Sequence, residues 1–484
     1  MDTNNSQKLL ARLREGEELS VQQQIQMAVR LSLPAMLAQV SSVVMQYIDA
    51  SMVGRLGAAD SASIGLVLTS TWLFGGVCMA ACLGFTVQAA QAVGAREDSR
   101  ARRIMHHGLG AAFLFSLALT LLALCISSSL PRWLGGAPEI CTGASRYFLI
   151  YMLGLPAFQL SALAGGMLQA SGNMRVPSIL NVLTCALDVV FNALLIFPTG
   201  TYTVLGVSVT LPGAGMGIAG AALGTTLAEV VTALLMLAFL LLRSPEMKLR
   251  RGEPWGFTPS ILKKALRIAA PVGFEQVVMC GAQVMATRIV SPLGTIAIAA
   301  NSFAVTAESL CYMPGYGIAA AATALIGQSI GARRGDLARR LGWISTGLGM
   351  AVMTCTGVLM YAAAPFMIGL LSPVESIRQL GTEVLRIEAF AEPLFAASIV
   401  CTGAFRGAGD TLAPSCMNFF SMWGVRLPLA AFLAPRVGLR GVWIAMCIEL
   451  CVRGTLFLAR LKTGRWLTAA QHRSDPEPAS AEAD

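Results

Sequence analysis

The chain has 484 residues, of which 55% are hydrophobic and only 13% charged, with a mean hydropathy of +0.66. Soluble domains carry about 25% charged residues, so this composition excludes a string of soluble domains and points to a bilayer, where charge is costly. The formal net charge of +9 would suit a nucleic-acid binder, but no basic run is interleaved with aromatics for base stacking.

In chain order, residues 1–26 are polar and lack the apolar stretch of a secretory signal peptide. Leu9, Leu10 and Leu13 can form one face of a short interfacial helix; a mobile polar tail is the alternative. A spanning helix takes about 20 mostly apolar residues. Twelve windows of that kind follow: 27–52, 61–92, 104–130, 141–169, 177–198, 215–242, 262–290, 297–328, 340–364, 378–404, 411–434 and 440–461. The expected fold is an all-α integral membrane protein of twelve transmembrane helices. No period-2 strands of the outer-membrane type are present. Residues 199–216, rich in Gly, Thr and Val, are placed outside the cell. Most of the 35 Lys and Arg fall in one alternate set of connections. By the positive-inside rule both termini are cytoplasmic, in the cell (inner) membrane. That bias also accounts for the net charge without nucleic acid. Most of the twelve cysteines lie inside apolar runs, without metal-binding spacing, and read as small hydrophobes.

Two stretches are near copies. "AQAVGAREDSRARR" at 90–103 returns as "GQSIGARRGDLARR" at 327–340, a shift of 237 residues. At the same shift Pro34 matches Pro271, Gly57 matches Gly294, Pro156 matches Pro393, Gly172 matches Gly409 and Asn181 matches Asn418. The chain is therefore two homologous six-helix lobes, an N-lobe at 27–242 and a C-lobe at 262–462. A basic linker at 243–261 joins them, and a cytoplasmic tail fills 463–484. An even number of spans makes the repeats parallel, related by a pseudo-twofold along the membrane normal. In each copy the phrase closes the second span. Its Gly-Ala ends the helix and its arginines complement the C-terminal dipole and stay in water. A gate in which these arginines pair with Glu97, Asp98 or Asp336 is the sharper alternative.

The repeat also sorts the embedded acids. Asp49 aligns with Ala286, Asp188 with Val425, Glu275 with Ala38 and Glu308 with Thr71. Acids needed merely to build the six-helix unit would occur in both copies, so these read as specialised. Gln39, Ser42, Gln46 and Asp49 follow spacings of one helix face, as do Asn181, Asp188 and Asn192. Two polar stripes converging on two aspartates can hold H⁺ or Na⁺, with Asn181 and Thr184 completing the cation-coupling set. Bracing of neighbouring helices is the bland alternative. Gln39, Gln46, Asn192, Glu275, Gln276, Glu308, Tyr312 and Glu392 are the candidate substrate-binding residues, with Glu275 assigned to the C-lobe and Glu388 one turn before Glu392. Pro34 and Pro271 are the candidate hinges. Glu229 and Glu449 are expected to pair with arginines such as Arg453. His106 and His107 read as interfacial.

"LSLPAMLAQVSSVVMQYIDASMVGRLGAADSASIG" and "AAPVGFEQVVMCGAQVMATRIVSPLGTIAIAANSF" resemble the openings of the two halves of the multidrug and toxic compound extrusion (MATE) family, prokaryotic branch. "LQASGNMRVPSILN" and "FRGAGDTLAPSCMN" are similar to its paired turns between the fourth and fifth spans. The likeness covers most of residues 30–460. It implies a twelve-helix, two-lobe exporter exchanging a cation for drug-like substrates by alternating access. It also implies that Asp49 and Asp188 occupy the family's first-span and fifth-span aspartates. The tenth-span acid of other branches has no match, since Phe395 stands there.

The expectation is thus a cation-coupled antiporter, with H⁺ or Na⁺ as coupling ion and no other cofactor. It exports amphipathic, often cationic, small molecules and contacts membrane lipids. It is expected to act as a monomer without nucleic acid. Neutralisation of the aspartate pair would bend the first span near Pro34 and expel substrate. A lipid-linked oligosaccharide flippase of the same superfamily is the related alternative. An intramembrane enzyme is a distant one, because no nucleophile, zinc or Walker motif is present.

Overall fold

The computed structural model describes residues 3–204, 207–248, 250 and 258–467. In chain order the helices are α1 (Thr3–Arg14), α2 (Val21–Gly54), α3 (Ala58–Gly94), α4 (Asp98–Ile126), α5 (Leu130–Trp133), α6 (Pro138–Leu153), α7 (Leu155–Ala170), α8 (Arg175–Ile196) and α9 (Ile218–Arg243). Then follow α10 (Pro259–Val290), α11 (Thr295–Gly331), α12 (Gly335–Leu371), α13 (Glu375–Glu388), α14 (Glu392–Gly407), α15 (Leu412–Phe419), α16 (Leu427–Val437) and α17 (Leu439–Thr463). A π-helical segment, Phe420–Arg426, joins α15 to α16. Between α8 and α9 the chain forms an antiparallel hairpin, β1 (Pro198–Val204) with β2 (Val207–Ala214). It occupies the Gly/Thr/Val-rich segment, whose β-branched residues favour extended backbone.

Ten helices among the described residues are long and apolar enough to span a bilayer, and α6 with α7, bent by 43°, makes an eleventh. The bend sits at Gly154 and Pro156, where the helix restarts with proline in its first turn. The remaining expected span, α13 with α14, is more polar because it carries Glu375, Arg378, Glu383, Arg386, Glu388 and Glu392. The molecule is an all-α membrane protein.

The chain packs as two compact units. One contains residues 34–89 and 98–281; the other contains 1–33, 90–97 and 282–484. The division departs from a simple cut at the basic linker. In α2 it falls at Leu33/Pro34, beside one candidate hinge. In α10 it falls at Gly281/Ala282, well past Pro271, so most of that helix packs with the earlier unit.

The duplicated phrase has a packing explanation inside the later unit. A Cβ on Gly94 would lie 2.1 Å from the Gln328 carbonyl oxygen, and one on Gly331 would lie 1.9 Å from the Gln91 carbonyl oxygen. The two contacts are related by the same shift of 237. The ends of α3 and α11 therefore cross at backbone contact, which only glycine permits. Each helix then stops the same way. Arg96 and Arg333 take left-handed φ of 61° and 57°. Glu97 N–H donates to the Ala92 carbonyl, and Arg334 N–H to that of Ser329, the six-to-one bond of a Schellman stop.

The N-terminal segment is an ordered part of this arrangement. Leu9, Leu10 and Leu13 of α1 are buried, and Arg14 Nε donates to Gln328 Oε1 at 3.2 Å. Arg96 pairs with Glu15 at 3.3 Å, and Arg334 with Asp336 at 3.5 Å. Arg334 also donates to the Gly16 carbonyl at 2.9 Å. The mobile-tail alternative is thereby excluded for α1.

Gly331→Ala should lower the melting temperature in detergent, at a cost of about 1–3 kcal/mol from overpacking. Gly54→Ala, where a Cβ meets nothing within 4 Å, should leave it unchanged. Equal shifts for the two variants would show that the crossing is not tight.

Candidate functional site

Within the earlier unit, α2 and α8 bring their polar faces together. Ser42 of α2 lies beside Cys185 of α8, and Asp188 and Asn192 lie one and two turns further along α8. Asn192 Nδ2 donates to Asp49 Oδ1 at 3.0 Å and to Asp188 Oδ2 at 3.1 Å. The two carboxyl groups also meet each other within hydrogen-bonding range. Asp188 and Asn192 are buried, and Asp49 is half-buried. Asp188 Oδ1 and Asn192 Oδ1 have no hydrogen-bond partner among the described residues. Two ionised carboxylates so close would repel strongly, so the geometry suits a shared proton or a bound cation.

The site depends on a close approach of α9. A Cβ on Gly224 would fall 2.2 Å from Asn192 Oδ1, so glycine there makes room for the bridging carboxamide. Thr225, the next residue, donates to the Ala221 carbonyl at 3.2 Å and sets its hydroxyl beside Asp188. Tyr147 and Tyr151 of α6 stack with ring centroids 6.1 Å apart. Tyr147 lies within electrostatic range of both aspartates, and Tyr151 within range of Asp188 and Glu229. Sequence spacing did not single out the tyrosines or Thr225. They sit on other helices, and no single-helix period reports such neighbours. Glu229 stands near Asp188.

Other candidate residues are distributed unevenly. Asn181 lies on the same face of α8 but is exposed, because seven residues carry it about 10 Å along the axis from Asp188. Thr184 donates to the Leu180 carbonyl at 2.9 Å. Gln39 is half-buried and Gln46 exposed. Asn192, one of the candidate substrate-binding residues, bridges the aspartates. Glu275 and Gln276 belong to the earlier unit and not to the C-lobe. Gln276 packs where Gly76 of α3 has no side chain, a Cβ there being 2.4 Å from its Cγ.

The later unit holds a second set of embedded charges. Glu308 of α11, Glu388 at the end of α13 and Glu392 at the start of α14 are all buried. They lie within electrostatic range of one another. Both carboxyl oxygens of Glu388 and of Glu392 lack hydrogen-bond partners among the described residues. Arg453 pairs with buried Glu449 at 3.1 Å, as the sequence led one to expect, and Ser421 donates to the same carboxylate. Arg426 and Arg453 act electrostatically on both Glu308 and Glu388. Phe395, at the position of the missing tenth-span acid, lies under the Arg453 guanidinium at 5.4 Å and 5.5 Å from the Tyr312 ring. An aromatic face thus meets the cation where a carboxylate would otherwise stand.

Gly224→Ala should destabilise the protein by about 1–3 kcal/mol in thermal unfolding, since the added methyl displaces the carboxamide. In an Asn192→Ala background the same change should cost at most half as much, as a double-mutant cycle would report. Equal costs in both backgrounds would deny that Gly224 exists to seat Asn192.

The model of the MatE family matches residues 34–194 and 271–432. The two segments begin 237 residues apart, on the internal repeat. The probable multidrug resistance protein NorM of Thermotoga maritima is 28% identical over 448 residues, 90% of this chain and 92% of that protein. The fold matches the crystal structure of a MATE in complex with MaL6, with a TM-score of 0.86 and 22% identity over 97% of this chain and 100% of that one. It also matches the outward-facing conformation of a multidrug resistance MATE family transporter, with a TM-score of 0.84 and 22% identity over 98% of this chain and 100% of that one. A duplicated helical chain that carries this family pattern in both halves, with its acids embedded in the spans, belongs to the MatE (MATE) family of membrane transporters and is not an enzyme.

Proposed function

We propose that this chain is an antiporter that exports amphipathic, often cationic, compounds by alternating access, driven by inward movement of protons through Asp49 and Asp188. It would do so from the cell (inner) membrane with both termini cytoplasmic. The observation that carries the reading is the Asn192 carboxamide held between the two aspartates. One amide nitrogen serves both carboxyl groups and leaves an oxygen on Asp188 unpartnered. Adding or removing a proton therefore changes which hydrogen bonds α2 and α8 can make. A cation entering the pair would weaken the hold of Asn192 on Asp49, freeing α2 to bend at Pro34. Asp49 is the more accessible of the pair and the natural entry point. Na⁺ is the competing coupling ion, to be separated by experiment.

Cationic substrates would be drawn by the buried glutamates Glu308, Glu388 and Glu392, with Tyr312 and Phe395 offering aromatic faces to an organic cation. The cluster holds more carboxyl groups than arginines, which favours this reading over a flippase, whose pyrophosphate-linked lipid calls for a cationic cavity.

Reconstituted protein should extrude a cationic dye under an imposed pH gradient and not under an imposed Na⁺ gradient alone. Asp49→Asn should reduce that export at least tenfold while leaving the amount of protein in the membrane unchanged. Full export by the variant, or export driven by Na⁺ and indifferent to pH, would remove the proton mechanism.

A further inference from the structure

Glu229 of α9 is an embedded acid of the earlier unit that the aspartate pair leaves without a task. Helix α9 runs antiparallel to α8 at backbone contact. A Cβ on Gly220 would lie 2.5 Å from the Leu195 carbonyl oxygen, and one on Gly224 would lie 2.2 Å from Asn192 Oδ1. Depths along the two helices can therefore be measured from one level. At 1.5 Å per residue, Asp188 lies about 6 Å from Asn192, and Glu229 about 7–8 Å from Gly224, in the same direction. That direction leads to Arg243 at the end of α9, where the basic linker begins. Asp49 is held at the level of Asn192. Glu229 thus stands at or beyond the depth of Asp188, on the side away from Asp49.

Glu229 lies on the packed face of its helix. Leu227, Val231 and Leu234 are exposed and mark the outer face of α9. At 100° per residue Glu229 falls about 140–160° from them, among buried Ala222, Thr232 and Met236. It is nevertheless only half-buried, so what remains accessible of it opens between the helices and not onto the outer apolar surface. Its carboxyl makes no hydrogen bond or ion pair among the described residues, whereas an acid that braced two helices would hold a donor. The titratable groups facing it are Asp188 of α8 and Tyr151 of α6; α7, which also packs on α9, carries none. Thr225, one turn earlier on the same face, has its hydroxyl beside Asp188. Gly154 lets α6 close on this stretch, a Cβ there being 2.8 Å from Thr226 Cγ2. Tyr151, one turn before Gly154, is within electrostatic range of both acids. The fold does not require an acid at this place. Gly217 and Gly438 open the last spans of the two halves with similar positive φ, 56° and 68°, and on that register buried Leu450 stands where Glu229 does.

We propose that Glu229 is a third carboxyl of the coupling path, the group that takes the proton from Asp188 and releases it toward the linker side. Asp188 gives up H⁺ and becomes a carboxylate. Glu229 becomes a carboxylic acid and then yields the same proton to water between the helices. The Tyr151 hydroxyl, near both groups, is placed to bridge the transfer. The order Asp49, Asp188, Glu229 gives the path a direction that two aspartates joined by one amide do not have. The inference rests on the proton-driven antiport proposed above.

The test is transport of tetraphenylphosphonium by proteoliposomes under an imposed pH gradient, in H₂O and in D₂O. Glu229→Gln should slow maximal transport roughly tenfold or more, the scale of a lost proton-transfer group. Its KM and its melting temperature should stay as in the wild type, a split that a structural glutamate would not give. D₂O should slow this variant more than the wild type, because proton release then limits turnover, and Glu229→Asp should recover much of the rate. A wild type that the pH gradient does not drive, or full transport by Asp49→Asn, would remove the antiport reading and this inference with it. With that reading intact, the inference alone is overturned if Glu229→Gln transports at the wild-type rate, if its loss comes with a raised KM or a lowered melting temperature, if its D₂O effect equals that of the wild type, or if Glu229→Asp recovers nothing.

Discussion

Keeping carboxyl groups inside hydrocarbon is the constraint on which this structure turns. A charged side chain at the bilayer centre costs about 2.5–3.5 kcal/mol on insertion scales, and each unit meets that cost differently. In the earlier unit Asp49 and Asp188 are drawn together and share the Asn192 amide. The space for that amide exists because Gly224 has no side chain. In the later unit Glu449 is held by Arg453 and Ser421, while Glu388 and Glu392 are left with unpartnered oxygens. The first arrangement is a small hydrogen-bonded set of two carboxyl groups and one amide. The second is a buried cluster in which carboxyl groups outnumber the arginines, bordered by aromatic rings.

These differences stand on a common frame. The glycines of the duplicated phrase let α3 and α11 cross backbone to backbone, and left-handed arginines end both helices with the same hydrogen bonds. Non-glycine residues in that conformation are uncommon, so two at equivalent positions mark a stop required by geometry. Helix α1 then docks over this region through its leucines and through Arg14. The frame needs the same residues in both copies. The copies part at the unmatched acids, Asp49 and Asp188 in one and Glu275 and Glu308 in the other.

Much of this was legible in the residues alone. Hydropathy located the spans because lipid demands about 20 apolar residues in a row. Glycine and proline at a constant shift of 237 exposed the duplication, since neither is exchanged freely where backbone contact or a helix start requires it. Three-and-four spacing placed Asp188 and Asn192 on one face of α8. The same spacing could not tell that Asn181 is exposed where Asp188 is buried, or that Asn192 bridges the two aspartates.

Sequence by itself determined the class of the molecule, its repeat, the identity of the embedded acids and the two helices that carry the aspartate pair. Tertiary structure decided the rest. It put Glu275 and Gln276 with the earlier unit, brought Tyr147, Tyr151 and Thr225 around the aspartates and formed a hairpin in the 198–214 segment. The physical reason is range. Hydropathy and periodicity are properties of one helix, whereas a hydrogen bond between helices depends on which faces meet and how closely, and that is set only when all the spans pack together.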